Sequence, residues 1–170
     1  LIDKPPEIFY TTTFVCQYDV DPIIGGDICS PTSTVFAIRS YGIEVDAYSF
    51  AVDNQDPKWG LFGLWPRAVQ NAADFGLDGA VTRYRSWSQA YDTLLAGGRI
   101  VMSVGRPLYA GHLMMLAGFD AAGNPVVHDP AKQNGYAYKH NKYDLAQSWF
   151  DKGGIAYTFF QKDAATLSLD

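Results

Sequence analysis

The sequence predicts one α+β domain, with helices gathered in its first half and an antiparallel sheet in its second. Three observations carry this expectation. The chain has 170 residues, close to the ~150 of a single average domain. Apolar stripes at helical spacing, each closed by a glycine, lie ahead of residue 99. Beyond it the apolar period shortens to that of strands, with neither the strand–helix alternation nor the glycine-rich phosphate loop of a nucleotide-binding sheet.

Residues 1–13, with Pro5-Pro6, read as an extended N-terminal arm, and 14–170 as the single domain. Pro31 suits the first turn of a helix whose Val35, Ile38 and Tyr41 share a face and which Gly42 stops, so Cys29 or Ser30 is expected at its N-cap. A second helix is expected from Trp65-Pro66 to Gly76. A third opens on a capping box, Ser86 with Gln89, carries the stripe Trp87, Ala90, Tyr91, Leu94 and Leu95, and ends at Gly97-Gly98. Residues 99–104 form a β-rich run. Residues 112–119 and 126–129 flank Gly123-Asn124, which predicts a hairpin. A helix over 142–150, closed by Gly153-Gly154, leads to a last strand over 155–160.

Composition excludes several function classes. Hydrophobic residues make up 48% and aromatic ones 15%, enough for a core without disulfide staples. Lys+Arg 13 against Asp+Glu 18 gives a net charge of −5, and the cations are scattered, which argues against a nucleic-acid or anionic-membrane partner. No apolar run approaches the ~20 residues of a bilayer span, so no membrane insertion is expected. Because the chain opens on Leu1 and not Met, it reads as a processed protein or excised domain, from which any signal peptide is already lost; a secreted or cell-envelope location is expected separately from that start.

Chemistry centres on Cys29. A helix N-terminus offers the positive end of the macrodipole and unpaired N–H groups, which favour a thiolate and can hold an oxyanion. The competing reading makes Cys29 a buried apolar residue or half of a Cys16–Cys29 disulfide. Of the imidazoles, His112 opens a central strand after Gly111 and is the better base. His140, flanked by Lys139, Asn141 and Lys142, reads as a solvated surface residue. His128 and Asp129 are strand neighbours and face opposite ways. Pairing Asp129 directly opposite His112 would centre the hairpin turn ahead of the turn signal near Ala122, a mismatch that a bulge at Gly118 would absorb in part. A metal hydrolase built on His112, His128 and Asp129 lacks a helical ligand pair, so no metal or cofactor is expected.

Cys29-Ser30-Pro31-Thr32-Ser33 with the helix ending at Tyr41-Gly42 resembles the nucleophile segment of the C39-like family of papain-fold cysteine peptidases. Gly111-His112, residues 113–118, Asp120, Gly123-Asn124 and His128-Asp129-Pro130 are similar to that family's His and Asp segment. Gly63-Leu64-Trp65-Pro66 and residues 97–104 match its middle helix and the strand before the histidine. The resemblance implies a papain-like fold with the cysteine-bearing helix packed on the sheet, in a bacterial thiol protease. It implies Cys29 as nucleophile, His112 as base, Asp129 as the orienting acid and Gln17 as the oxyanion-hole donor. Ser30 stands where the family commonly has glycine, and Cys16 becomes a bystander. A peptide or protein substrate is expected, in a groove between the Cys29 helix and the loop 105–111, with Tyr109 and Trp65 as substrate-binding residues and glycine hinges at the loop ends. Amidase or acyltransferase chemistry runs on the same fold. A binding module with a Cys16–Cys29 disulfide and a Trp59, Trp65 and Tyr109 groove is the alternative of another class.

Overall fold

A computed structural model describes residues 7–162. The helices are α1 (Gln17–Val20), α2 (Cys29–Ser40), α3 (Ala47–Asn54), α4 (Trp65–Ala73), α5 (Trp87–Leu95) and α6 (Lys142–Phe150), with a 3-10 turn at Gly25–Asp27. The strands are β1 (Ile8–Phe9), β2 (Leu77–Arg83), β3 (Arg99–Val104), β4 (His112–Phe119), β5 (Pro125–His128) and β6 (Ile155–Gln161). They form one antiparallel sheet in the order β1-β4-β3-β6-β2, with β5 also on β4.

Alternation along the strands sorts the core into two layers. Val101, Tyr157 and Phe159 face α2, α3 and α4, while Ile100, Met102, Met114 and Leu116 face α5 and α6. Arg99 starts β3 as a buried cation that pairs with no carboxylate among the described residues. Its guanidinium lies 3.4 Å from the centre of the Tyr10 ring and 3.9 Å from that of Tyr41, and it donates to Ser40 Oγ and the Gly97 carbonyl. Aromatic faces and carbonyl dipoles replace its water, and they tie β3 to the end of α2.

Three expectations need correction. Helices do not simply precede the sheet, because β2 lies ahead of α5. Gly79 breaks the apolar signal of that strand, and a Cβ there would come 2.6 Å from the Phe159 ring. The N-cap of α2 is Ile28, with Cys29 as the first helical residue. The sheet also begins inside the expected arm: Ile8 and Phe9 pair with Phe119 and Gly118, and Tyr10 N–H donates to the Ala117 carbonyl. Residues 1–6 of that arm lie outside the described residues. The β4–β5 register shifts between Leu116 and Gly118. Gly118 has no room for a side chain there, since a Cβ would overlap the Ile8 carbonyl.

Candidate active site

The start of α2 is a run of small residues, buried from Ser30 to Ile38 and tied down by its hydroxyls. Ser33 Oγ donates to the Leu113 carbonyl at 3.0 Å, which pins the helix to β4 one residue from His112. Ser30 Oγ shares a 3.0 Å hydrogen bond with the Tyr157 hydroxyl on β6, so the serine turns inward and does not crowd Cys29. No side chain caps the helix, and Pro31 has no N–H, so the first-turn donors of Cys29 and Ser30 carry no cap. Cys29 is half-buried and Cys16 buried, and both are free thiols. The Cys16–Cys29 disulfide of the binding-module reading is therefore absent.

His112 stands within hydrogen-bonding reach of Cys29. Its Nε2 donates to Asp129 Oδ1 at 2.8 Å, which leaves Nδ1 as the ring nitrogen for the thiol. Burial alone would lower the His112 pKa, but hydrogen bonds to Asp129 and Cys29, and their charges, outweigh it and push it up to about 9. Asp129 follows β5. Since Met115 pairs with His128, Asp129 continues opposite Met114 and reaches His112 diagonally, on the same face. Burial would raise the Asp129 pKa, yet hydrogen bonds from His112, His140 and Tyr109 hold it far below the usual carboxylate range. His128 turns the other way. Ala137 N–H donates to its Nδ1 and its Nε2 donates to the Tyr10 carbonyl, so it is a neutral imidazole outside any metal set with His112 and Asp129.

The other expected site residues are placed less simply. Gln17 is buried at the start of α1; its Nε2 donates to the Gly25 carbonyl at 2.8 Å, leaving a second N–H, and its Oε1 has no partner among the described residues. Tyr109, expected on a groove wall, instead donates its hydroxyl to Asp129 Oδ2 at 2.6 Å, with its ring centre 4.2 Å from that of His112. Its loop is not a free hinge, because Ser148 of α6 accepts from Leu108 N–H and gives its carbonyl to Gly105 N–H. Trp65 begins α4 at 52% exposure. It follows a loop in which Gly60, Leu61, Phe62, Gly63 and Leu64 share a cavity of about 410 Å³ with Asp27, two residues before Cys29.

The reading of His140 as a surface residue is wrong. Its side chain is only 7% exposed, and its Nε2 donates to Asp129 Oδ2 at 2.9 Å. Its charged and amide neighbours hid this. The alternation of Tyr136, Tyr138 and His140 was the available signal of an extended, half-packed segment, and Tyr138 does bridge to Val127. Among the described residues no helix is long and apolar enough to cross a membrane, and no cluster of His, Cys, Asp or Glu is arranged to hold a metal ion.

The model of the Peptidase_C39 like family matches residues 11–157. No curated protein matches the chain. Among solved structures, a double glycine motif protease from an AMS/PCAT transporter, in complex with the leader peptide, aligns at TM-score 0.64 and 16% identity, over 95% of this chain and 100% of that one. A Bacillus anthracis protein described as a C39-like peptidase aligns at 0.67 and 15%, over 94% and 100%. The peptidase domain of Streptococcus ComA, a bi-functional ABC transporter, aligns at 0.63 and 14%, over 81% and 93%. At these identities the likeness is one of fold, the papain-like arrangement of helix and antiparallel sheet.

Proposed function

The chain belongs to the Peptidase_C39 like family and is a cysteine peptidase-like hydrolase; on that premise we propose that it cleaves peptides through Cys29, His112 and Asp129. His112 takes the thiol proton, and the sulfur attacks the scissile carbonyl. The resulting oxyanion is held by the Cys29 N–H and the second N–H of Gln17. His112 returns the proton to the leaving amine, which departs and leaves a thioester on Cys29. A water then gives His112 a proton as it attacks the thioester, and the tetrahedral adduct collapses to the free acid and the thiol. Asp129 keeps the imidazole oriented and stabilises its charged form. Trp65, exposed and next in the chain to the cavity-lining residues 60–64, is the candidate wall for the peptide.

The observation that carries this reading is the line from Cys29 through His112 to buried Asp129, starting at an uncapped helix terminus. A peptide as substrate is favoured by the family, and by the leader peptide held by the transporter protease of like fold. Iodoacetamide tests the core of the proposal. Cys29 is expected to be alkylated much faster than buried Cys16 at pH 6, and His112→Ala is expected to remove most of that advantage. Equal, slow labelling of both thiols between pH 5 and 9 would defeat it.

A further inference from the structure

We propose that His140 and Tyr109 are positioning residues of the Cys29–His112–Asp129 site, holding the second oxygen of Asp129 so that the first stays aimed at His112. The inference rests on the triad proposed above and adds to it a residue that the sequence places among surface polar groups.

Asp129 is fully buried and each of its oxygens accepts twice. Oδ1 takes His112 Nε2 at 2.8 Å and the Ala131 N–H at 3.0 Å, while Oδ2 takes the Tyr109 hydroxyl at 2.6 Å and His140 Nε2 at 2.9 Å. One carboxylate thus serves two imidazoles, of which only His112 has the thiol on its other side. With Oδ2 held from two directions, the carboxylate cannot rotate without leaving buried donors unpaired, which is costly in such a dry place. Removing the Oδ2 donors leaves the carboxylate buried but free to turn.

The chain reaches His140 along a closed path. From Pro130 the segment 130–141 loops out and returns: Asp129 N–H donates to the Gly135 carbonyl, Tyr138 and Val127 exchange both backbone hydrogen bonds, and Ala137 N–H donates to His128. Gly135 lies so close over Asp129 that a Cβ would overlap the Asp129 carbonyl oxygen. The His140 ring then packs edge-on against Tyr138, with centres 4.6 Å apart. The titratable groups around the pair are Cys29 from α2, Tyr18 from α1, Tyr109 from the loop after β3, and Tyr138 and His140 from the returning segment. Lys132, over the Tyr138 ring at 4.9 Å, is a cation on the same segment.

The test is the rate of Cys29 alkylation by iodoacetamide between pH 5 and 10, with folding followed by thermal melting. A carboxylate that wanders stabilises the charged His112 less, so the loss should be confined to the acid side, where reactivity depends on His112 keeping the proton. For His140→Ala and for His140→Asn, whose amide falls short of Oδ2, the rate is expected to fall on the order of tenfold at pH 6 and to meet that of the parent above pH 9. His140→Gln, whose amide N–H reaches about as far as Nε2, should restore most of the rate at pH 6. Tyr109→Phe keeps the ring packing, removes the other donor, and should show the same acid-side loss; it decides the matter if a His140 variant does not fold. A parent-like profile, a change uniform in pH, or a His140→Gln as impaired as His140→Ala would overturn the proposal. A parent rate insensitive to His112→Ala would instead defeat the triad, so the two failures are distinguishable.

Discussion

At Asp129, burial and hydrogen bonding pull in opposite directions, and the bonds win. The chain holds a second aspartate that tests this reasoning: Asp120, in the hairpin turn, accepts from Lys139 and from the Asn124 and Ala122 N–H groups, and its pKa is lowered to about 2. Its environment is wet and its bonds serve the turn. Asp129→Ala is therefore expected to lower the Cys29 alkylation rate at pH 6 by at least tenfold, because the buried imidazole loses its counter-charge. Asp120→Ala should leave that rate unchanged and show its cost in stability alone, on the order of 1 kcal/mol for the lost turn bonds. Rate measurements on the two folded variants decide it; greater damage from Asp120→Ala would sink the assignment. Helix and strand signals singled out Cys29 and His112, whereas Asp129 joined them only through the resemblance to the C39-like family, because its register opposite His112 did not close by spacing alone. His140 was not legible in the same way. Its burial depends on where the segment 130–141 closes, and the alternation of Tyr136, Tyr138 and His140 encodes only that the segment is extended and half-packed.

Among the elements, those with complete local signals were readable and those made by packing were not. Helix α5 was read almost residue for residue because Ser86 Oγ accepts from Gln89 N–H, although Gln89 Oε1 reaches back to Arg85 N–H and not to that of Ser86. Helix α3 went unread. Its cap is Asp46, accepting from Ser49 N–H, and no Glu or Gln completes a capping box. Strand β1 has two residues and exists because Gly118 leaves space for its backbone. Two outcomes follow at this scale. Ser86→Ala should cost about 1 kcal/mol, read as a shift of the denaturant midpoint with an unchanged slope, and should leave Cys29 reactivity alone. Gly135→Ala should instead lower both stability and the pH 6 alkylation rate, because its Cβ displaces the segment that carries His140; a stable variant with parent reactivity would contradict the closed-loop account.

Across the whole molecule, two histidines set opposite pH limits on stability. The folded-state pKa of His112 is raised to about 9 from an ordinary value of about 6.5. Its contribution is complete below about pH 6.5 and is lost as pH rises through 9. His128 is pushed down by burial, so its contribution is complete above about 6.5 and is lost on acidification. Melting temperature should therefore peak between about pH 6 and 7. Asp129→Asn, by removing the charge that raises His112, should flatten the decline on the alkaline side; calorimetry on both proteins from pH 5 to 9.5 tests this, and a parent whose melting point climbs steadily to pH 9 would refute it.

The position of β6 between β3 and β2 has a consequence for how the enzyme comes into being. Cys29 and His112 are synthesised well before residues 155–161, yet that strand, last of those described, separates two made earlier, and its Tyr157 is bonded to Ser30 beside Cys29. Until that strand has left the ribosome, β2 and β3 have no common partner and the layer under α2 lacks Tyr157 and Phe159. The growing chain therefore carries Cys29, His112 and Asp129 before the layer beneath α2 is complete.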